Sequence, residues 1–176
     1  MSILKVNTIQ DKGGNTLLSS DGAGVISSGG AITNTPSFFS KISGTVQSIT
    51  SGTFTKVQFD TTVWDSDSAF DTTNYRFVTP SGKSGKYLFT FGVYADNIDD
   101  QEYFENYFFK NGSSINYGRF TAVAPRGSNP TFYTTSVTVD MNVSDYMEIF
   151  VYHNDGSTNA IYSSTTFFSG HRLIGA

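Results

Sequence analysis

G-K-Y-L-F-T-F-G-V-Y, residues 85–94, decides the fold class. Tyr87, Phe89, Phe91 and Val93 fall on one side of an extended chain, and Leu88, Thr90, Gly92 and Tyr94 on the other. That is the period of two that a pleated strand imposes. Outward from it the pattern repeats. Thr55, Val57 and Phe59 alternate with Lys56 and Gln58; Thr135, Val137, Val139 and Met141 with Ser136, Thr138 and Asp140; Met147, Ile149, Val151 and His153 with Tyr146, Glu148, Phe150 and Tyr152. Y-F-E-N-Y-F-F at 103–109 runs into K-N-G at 110–112, whose Asn-Gly pair suits the positive-φ positions of a hairpin turn. No window keeps a helical period. Eight to ten strands in a two-sheet sandwich is the predicted architecture.

Composition agrees and excludes several functions. A chain of 176 residues with 16 Phe, 10 Tyr and 17 Gly favours pleats and turns, and is long enough for one cored domain plus a short appendage. Charged residues make up only 15%, which points to surface hidden in an assembly. The net charge of −4, with no run of Lys or Arg, lacks the electrostatic footprint of a nucleic-acid or anionic-membrane binder. No apolar stretch approaches the ~20 residues of a membrane helix, so membrane insertion is not expected. With no Cys there is neither a disulfide framework nor thiolate chemistry. The start, M-S-I-L-K-V-N-T-I-Q-D-K, lacks the apolar core of a secretory signal, so synthesis and folding in a cytoplasm are expected.

Residues 1–35 differ from the rest. They hold six Gly and no aromatic residue, and their apolar side chains are sparse: Ile3, Val6 and Ile9, then Leu17 and Leu18. D-K-G-G-N-T at 11–16 and D-G-A-G at 21–24 read as tight turns, giving two or three short strands. Such a segment cannot bury a core of its own, so it is expected to lie against neighbouring chains. The division predicted is a short N-terminal arm, 1–35, and a head, 36–176.

Six motifs carry a resemblance. They are V-Q-F-D at 57–60, N-Y-R-F-V-T-P-S-G at 74–82, G-K-Y-L-F at 85–89, K-N-G at 110–112, V-S-D-Y-M-E-I at 143–149 and F-F-S-G-H-R-L-I at 167–174. Together they resemble the globular head of the complement C1q/tumour-necrosis-factor family. The resemblance implies a jelly-roll β-sandwich that forms a homotrimer, with the C-terminal strand near the threefold axis. Tyr87, Phe89, Phe168 and Leu173 are the trimer-interface candidates, since strands apolar on both faces want a partner for the second face. L-K-V-N-T-I-Q-D-K-G-G-N-T at 4–16, with S-S-D-G-A-G at 19–24, resembles the N-terminus of bacteriophage fibre and decoration proteins. That resemblance implies attachment to other virion proteins through residues 1–35, with Ile3, Val6, Ile9, Leu17 and Leu18 as the arm's contact residues.

Catalysis is not expected. The two histidines, His153 and His171, both fall on predicted strands, and no nucleophile elbow, phosphate loop or zinc spacing occurs. A-D-N-I-D-D-Q-E at 95–102 has oxygen donors enough for a calcium ion, with Asp96, Asp99 and Asp100 as candidate ligands. The stretch 117–133, read as a loop, gathers Tyr117, Arg119, Arg126 and Tyr133, residue types enriched in binding hot spots and suited to a host cell-surface glycan or protein. Phe120 and Phe132, in the same stretch, read better as buried core. Two functions compete. One is a trimeric virion knob, as a tail-fibre tip or a capsid decoration, anchored by its arm; the other is a soluble secreted recognition module of the complement kind. The secreted module calls for a signal peptide and commonly a collagen-like stalk, and neither is seen in this sequence.

Overall fold

The computed structural model describes residues 6–23, 26–28, 34–96, 98–124 and 131–173. The chain divides into two compact units, Met1–Asn34 with Ile174–Ala176, and Thr35–Leu173. Among the described residues there is no helix long and apolar enough to cross a membrane.

In the first unit, β1 (Thr8–Gln10), β2 (Thr16–Ser20) and β3 (Ile26–Ser28) form an antiparallel sheet in that order. The Asp11 carboxylate accepts hydrogen bonds from the Gly13 and Asn15 N–H groups at 2.8 and 2.9 Å and so fixes the first turn, with Gly14 at φ 82°. Val6, Ile9 and Leu17 stay exposed.

The second unit is a sandwich. Its strands are β4 (Ser37–Lys41), β5 (Val46–Thr50), β6 (Thr55–Lys56), β7 (Thr61–Asp65), β8 (Phe70–Asp71), β9 (Arg76–Val78), β10 (Gly85–Asp96), β11 (Tyr103–Lys110), β12 (Ser113–Val123), β13 (Thr131–Met141), β14 (Tyr146–His153), β15 (Thr158–Tyr162) and β16 (Phe167–Arg172). One sheet runs β5-β15-β10-β16-β4-β7, with β13 along the other side of β10; the second runs β12-β11-β14-β9-β8, with β6 on β14. All pairs are antiparallel. The strand read first in the sequence, β10, is central: Gly85 to Ala95 pair with Met141 to Thr131, and Tyr87 to Gly92 with Arg172 to Phe167.

Alternation sends every second residue between the sheets. Tyr87, Phe89, Phe91 and Val93 of β10 are fully buried with Phe38 of β4 and Phe168 of β16. Against them pack Phe77, Phe104, Phe108, Ile149 and Val151 of the second sheet. Each such ring removed from water contributes about 1.5–3 kcal/mol. Gly170 is needed here because a Cβ would stand 2.6 Å from the Phe89 ring and 2.8 Å from that of Phe38.

Three expectations are corrected. Tyr87, Phe89 and Phe168, placed at a trimer interface by the sequence, fill the protomer's own core instead; both faces of these strands are apolar, and periodicity cannot say which turns inward. The strand expected over 55–59 stops at Lys56, although Val57 still donates to the Ile149 carbonyl at 2.9 Å and Val57 and Phe59 are fully buried. Strands also exceed the eight to ten expected, because several edge pieces of two to five residues add to the long ones.

Candidate functional site

The stretch 117–133 is mostly strand rather than loop, since β12 extends to Val123 and β13 begins at Thr131. Its candidates therefore separate. Tyr117 and Arg119 lie two apart on β12 and are both exposed, Tyr117 at 68% and the Arg119 side chain at 56%. Tyr133 turns inward, its ring 4.9 Å from that of Phe120 and 6.0 Å from that of Phe104, and burial pushes its hydroxyl pKa strongly up. Arg126 lies outside the described residues. Phe120 and Phe132 are not core: Phe120 is exposed on an edge strand, and Phe132 stands on the outer face of β13, 6.4 Å from Tyr94.

Arg119 belongs to a network that the sequence reading missed. In register, Arg119 of β12 faces Tyr107 of β11, which faces Phe150 of β14, which faces Lys56 of β6. The neighbouring row is Thr121, Glu105 and Tyr152. Glu105, only 2% exposed on an outer sheet face, accepts hydrogen bonds from Arg119 Nε at 3.1 Å and from its Nη2, from Thr121 at 2.8 Å and from the Tyr107 hydroxyl. Burial alone would raise this carboxyl; the Tyr107, Arg119 and Thr121 hydrogen bonds outweigh it and leave its pKa lowered. Burial and the Glu105 carboxylate together push the Tyr107 hydroxyl up to about 12. Lys56 pairs with Glu148 at the other end of the row.

Around these charges stands a group of rings. Phe54, 51% exposed, meets Tyr107 edge-on at 4.9 Å and lies 5.3 Å from Tyr152, which stacks with Tyr103 at 6.0 Å. Phe109 and Phe150 are 4.3 Å apart. A glutamate in the middle of Y-F-E-N-Y-F-F was the available signal, because a carboxylate between aromatic neighbours on a strand needs a cation across the pair.

The first sheet carries a second aromatic row on its outer face. Trp64 of β7, 52% exposed, lies 4.9 Å from Phe39 of β4, which stacks at 5.0 Å on Phe167 of β16. Phe167 covers Gly92 so closely that a Cβ there would stand 2.2 Å from the ring. Leu173, the remaining interface candidate, is half-buried and donates its N–H to the Lys86 carbonyl at 2.8 Å.

The calcium set is not assembled. Asp96 accepts a hydrogen bond from the Tyr162 hydroxyl at 3.1 Å, and among the described residues no three His, Asp or Glu side chains stand close enough to share a metal ion. His153 is sealed in the core, its Nε2 3.2 Å from the Ile49 carbonyl oxygen and its Nδ1 3.0 Å from Asp155, where no substrate reaches it. Of the arm's candidates, Ile3 lies outside the described residues, Val6, Ile9 and Leu17 are exposed, and Leu18 is half-buried; Val6, Ile9 and Leu18 line a shallow groove of about 110 Å³.

The head has the jelly-roll fold of complement C1q and tumour-necrosis-factor domains. It superposes on the globular domain of zebrafish complement 1qA with a TM-score of 0.57 at 14% identity, covering 78% of this chain and 97% of that one. For Eiger TNF of S. frugiperda the TM-score is 0.54 at 13% identity over 80% and 92%, and for murine APRIL 0.52 at 12% over 73% and 98%. At such identities the likeness is one of fold. In sequence, the chain is similar to phage-like element PBSX protein XkdV of Bacillus subtilis (strain 168), 31% identical over 111 residues, which is 60% of this chain and 16% of that protein. It is also similar to the uncharacterized protein YqcC of the same strain, 30% identical over 110 residues, 61% of this chain and 30% of that one. The chain thus spans less than a third of the length of either relative. No model of a known protein family matches it.

Proposed function

We propose that the protein is a structural component of a phage-related particle: a homotrimeric jelly-roll head, fixed to other virion proteins by residues 1–35 and displayed on the particle, where it binds or shields and catalyses nothing. The similarity to a phage-like element protein supports the setting, and the fold supports the head.

The observation that carries the assembly is the outer face of the first sheet. Trp64, Phe39 and Phe167 form a continuous aromatic row there, with Leu88, Tyr94 and Phe132 further along the same face. A sandwich needs only one face of each sheet for its own core, and a row of this kind left wet costs free energy that cyclic association removes. The trimer interface therefore uses Trp64, Phe39 and Phe167 in place of the core residues Tyr87, Phe89 and Phe168.

Light scattering on the purified protein should report about three chains of 19.2 kDa. A monodisperse monomer at micromolar concentration overturns the assembly. Antibody labelling and imaging of intact particles locate the head on a fibre tip or on the capsid, and its absence from particles overturns the setting. Competition between the purified head and particles for host cells identifies an adhesin. Unimpaired adsorption with reduced particle stability, after the head is deleted, identifies a decoration.

A further inference from the structure

We infer that the outer face of the β12-β11-β14 sheet is a binding site for a neutral glycan, centred on Phe54, Tyr107, Tyr152 and Arg119. The inference rests on the proposed trimer to this extent: with the first sheet turned toward the other copies, this opposite face points outward from the assembly.

Three features of the face select the ligand's chemistry. First, the rings lie at graded exposure, from Phe54, half in solvent, to Tyr107, nearly buried. Their T-shaped, tilted and stacked contacts fix one another's orientation, so little side-chain entropy is lost when a ligand lands on them. A pyranose presents a face of polarised C–H groups, and the negative face of an aromatic ring attracts that pattern while also covering the ring. Second, hydrogen-bonding groups stand at fixed places beside the rings. The Arg119 guanidinium is held by Glu105 through Nε and Nη2 and lies 5.5 Å from the Tyr107 ring centroid, with more than half of the side chain exposed to meet a sugar hydroxyl. Third, the patch is charge-balanced. Arg119 is matched by Glu105 and Lys56 by Glu148, and the chain carries a net −4. A polyanion such as a polyuronate or a teichoic phosphate meets no unmatched cation here and an unfavourable overall field.

Thr55, the residue after Phe54, lines a cleft of about 440 Å³ together with Ile42, Ser43, Val46, Gln47, Gln58 and Asp60 among others. Gln47 is clamped across it, donating to the Lys56 carbonyl at 2.8 Å and accepting from the Gln58 N–H at 2.9 Å. A glycan longer than one residue would leave the rings at Phe54 into hydroxyl and amide groups suited to its hydroxyls.

The test is binding of the full-length protein to an immobilised array of neutral glucose, galactose, mannose and rhamnose oligomers, with polyuronate and sialylated oligomers alongside. Binding to at least one neutral series is expected. Phe54→Ala and Tyr152→Ala should each weaken it at least tenfold, Phe54→Tyr should restore it, and Arg119→Gln should weaken it while shifting preference among hydroxyl configurations. Trp64→Ser, on the opposite face, should leave single-site affinity unchanged. Binding to none of the neutral series overturns the inference, as does binding only to anionic oligomers, binding unaffected by Phe54→Ala, or capture of a host protein instead. Light scattering on the same samples separates the two claims. A trimer without glycan binding leaves the proposed function standing and this site refuted; a monomer that binds does the reverse.

Discussion

At the scale of single residues, two sequence motifs are explained by one carboxylate. Asp145 of V-S-D-Y accepts hydrogen bonds from Asn111 Nδ2 at 2.7 Å and from its own turn's Asn142 N–H at 2.8 Å, and pairs with Lys110 at 2.9 Å. Asn111 returns the contact by accepting from the Tyr146 N–H at 2.9 Å. K-N-G and V-S-D are thus two halves of one clasp, with Asn111 and Gly112 at the positive φ the hairpin requires. Burial raises the Asp145 carboxyl, but the Lys110, Asn111 and Asn142 hydrogen bonds more than offset this and hold it at about 2. A carboxyl depressed in the folded chain contributes stability above its ordinary value of 3.8 and loses it as pH falls through its folded value. Urea unfolding should therefore show stability declining from about pH 4 toward about pH 2. Asp145→Asn should cost about 1–2 kcal/mol at pH 6 and flatten that decline. Gly170→Ala meets two core rings instead of solvent, and should cost about 1–3 kcal/mol in the same assay without changing which residues are buried. Gly92→Ala meets only the far edge of the Phe167 ring, which can swing outward, so its cost in protomer stability should be smaller.

At the scale of elements, β11 shows how a strand serves two surfaces at once. Phe104 and Phe108 face the core, while Glu105, Tyr107 and Phe109 face out and are nearly covered by their neighbours on β12 and β14. A period of two reveals the strand but not which side holds the core when both sides are aromatic. The arm makes a different case. Its three short strands close by turn hydrogen bonds and leave Val6, Ile9 and Leu17 wet, so they contribute little apolar burial of their own. Deleting residues 1–34 should leave the head folded, with a thermal midpoint within a few degrees of the intact protein by calorimetry. It should also abolish incorporation into particles. Unfolding of the truncated chain would assign the arm to the head's core.

For the whole molecule, the two aromatic surfaces divide the labour of the proposed assembly, and substitutions should separate them from the core. Trp64→Glu combined with Phe167→Ser should yield a monomer by light scattering with an unchanged far-ultraviolet β spectrum, since both side chains lie on the outer face. Phe168→Asp, one position along, should instead prevent folding, because it places an unpaired charge among Phe38, Phe59, Phe70 and Phe89 at a cost of several kcal/mol. Equal behaviour of the two variants would mean that the outer row is part of the fold rather than of an interface.

The sequence by itself determined the fold class, the strand over residues 85–94 and the turn at K-N-G. Strand period and Asn-Gly turn chemistry are local, and local order is written in adjacent residues. It also singled out Tyr117 and Arg119, though as loop residues, whereas both lie on β12. Only the tertiary structure decided which face of each strand is core, because that choice depends on what the opposite sheet supplies. The same holds for Glu105, whose four hydrogen-bond donors come from Tyr107 on its own strand and from Arg119 and Thr121 across a pairing whose register no single stretch encodes. Asp96, Asp99 and Asp100 look like a calcium site as a string of letters. Folding sends Asp96 to Tyr162 instead, since proximity in sequence does not make carboxylates converge.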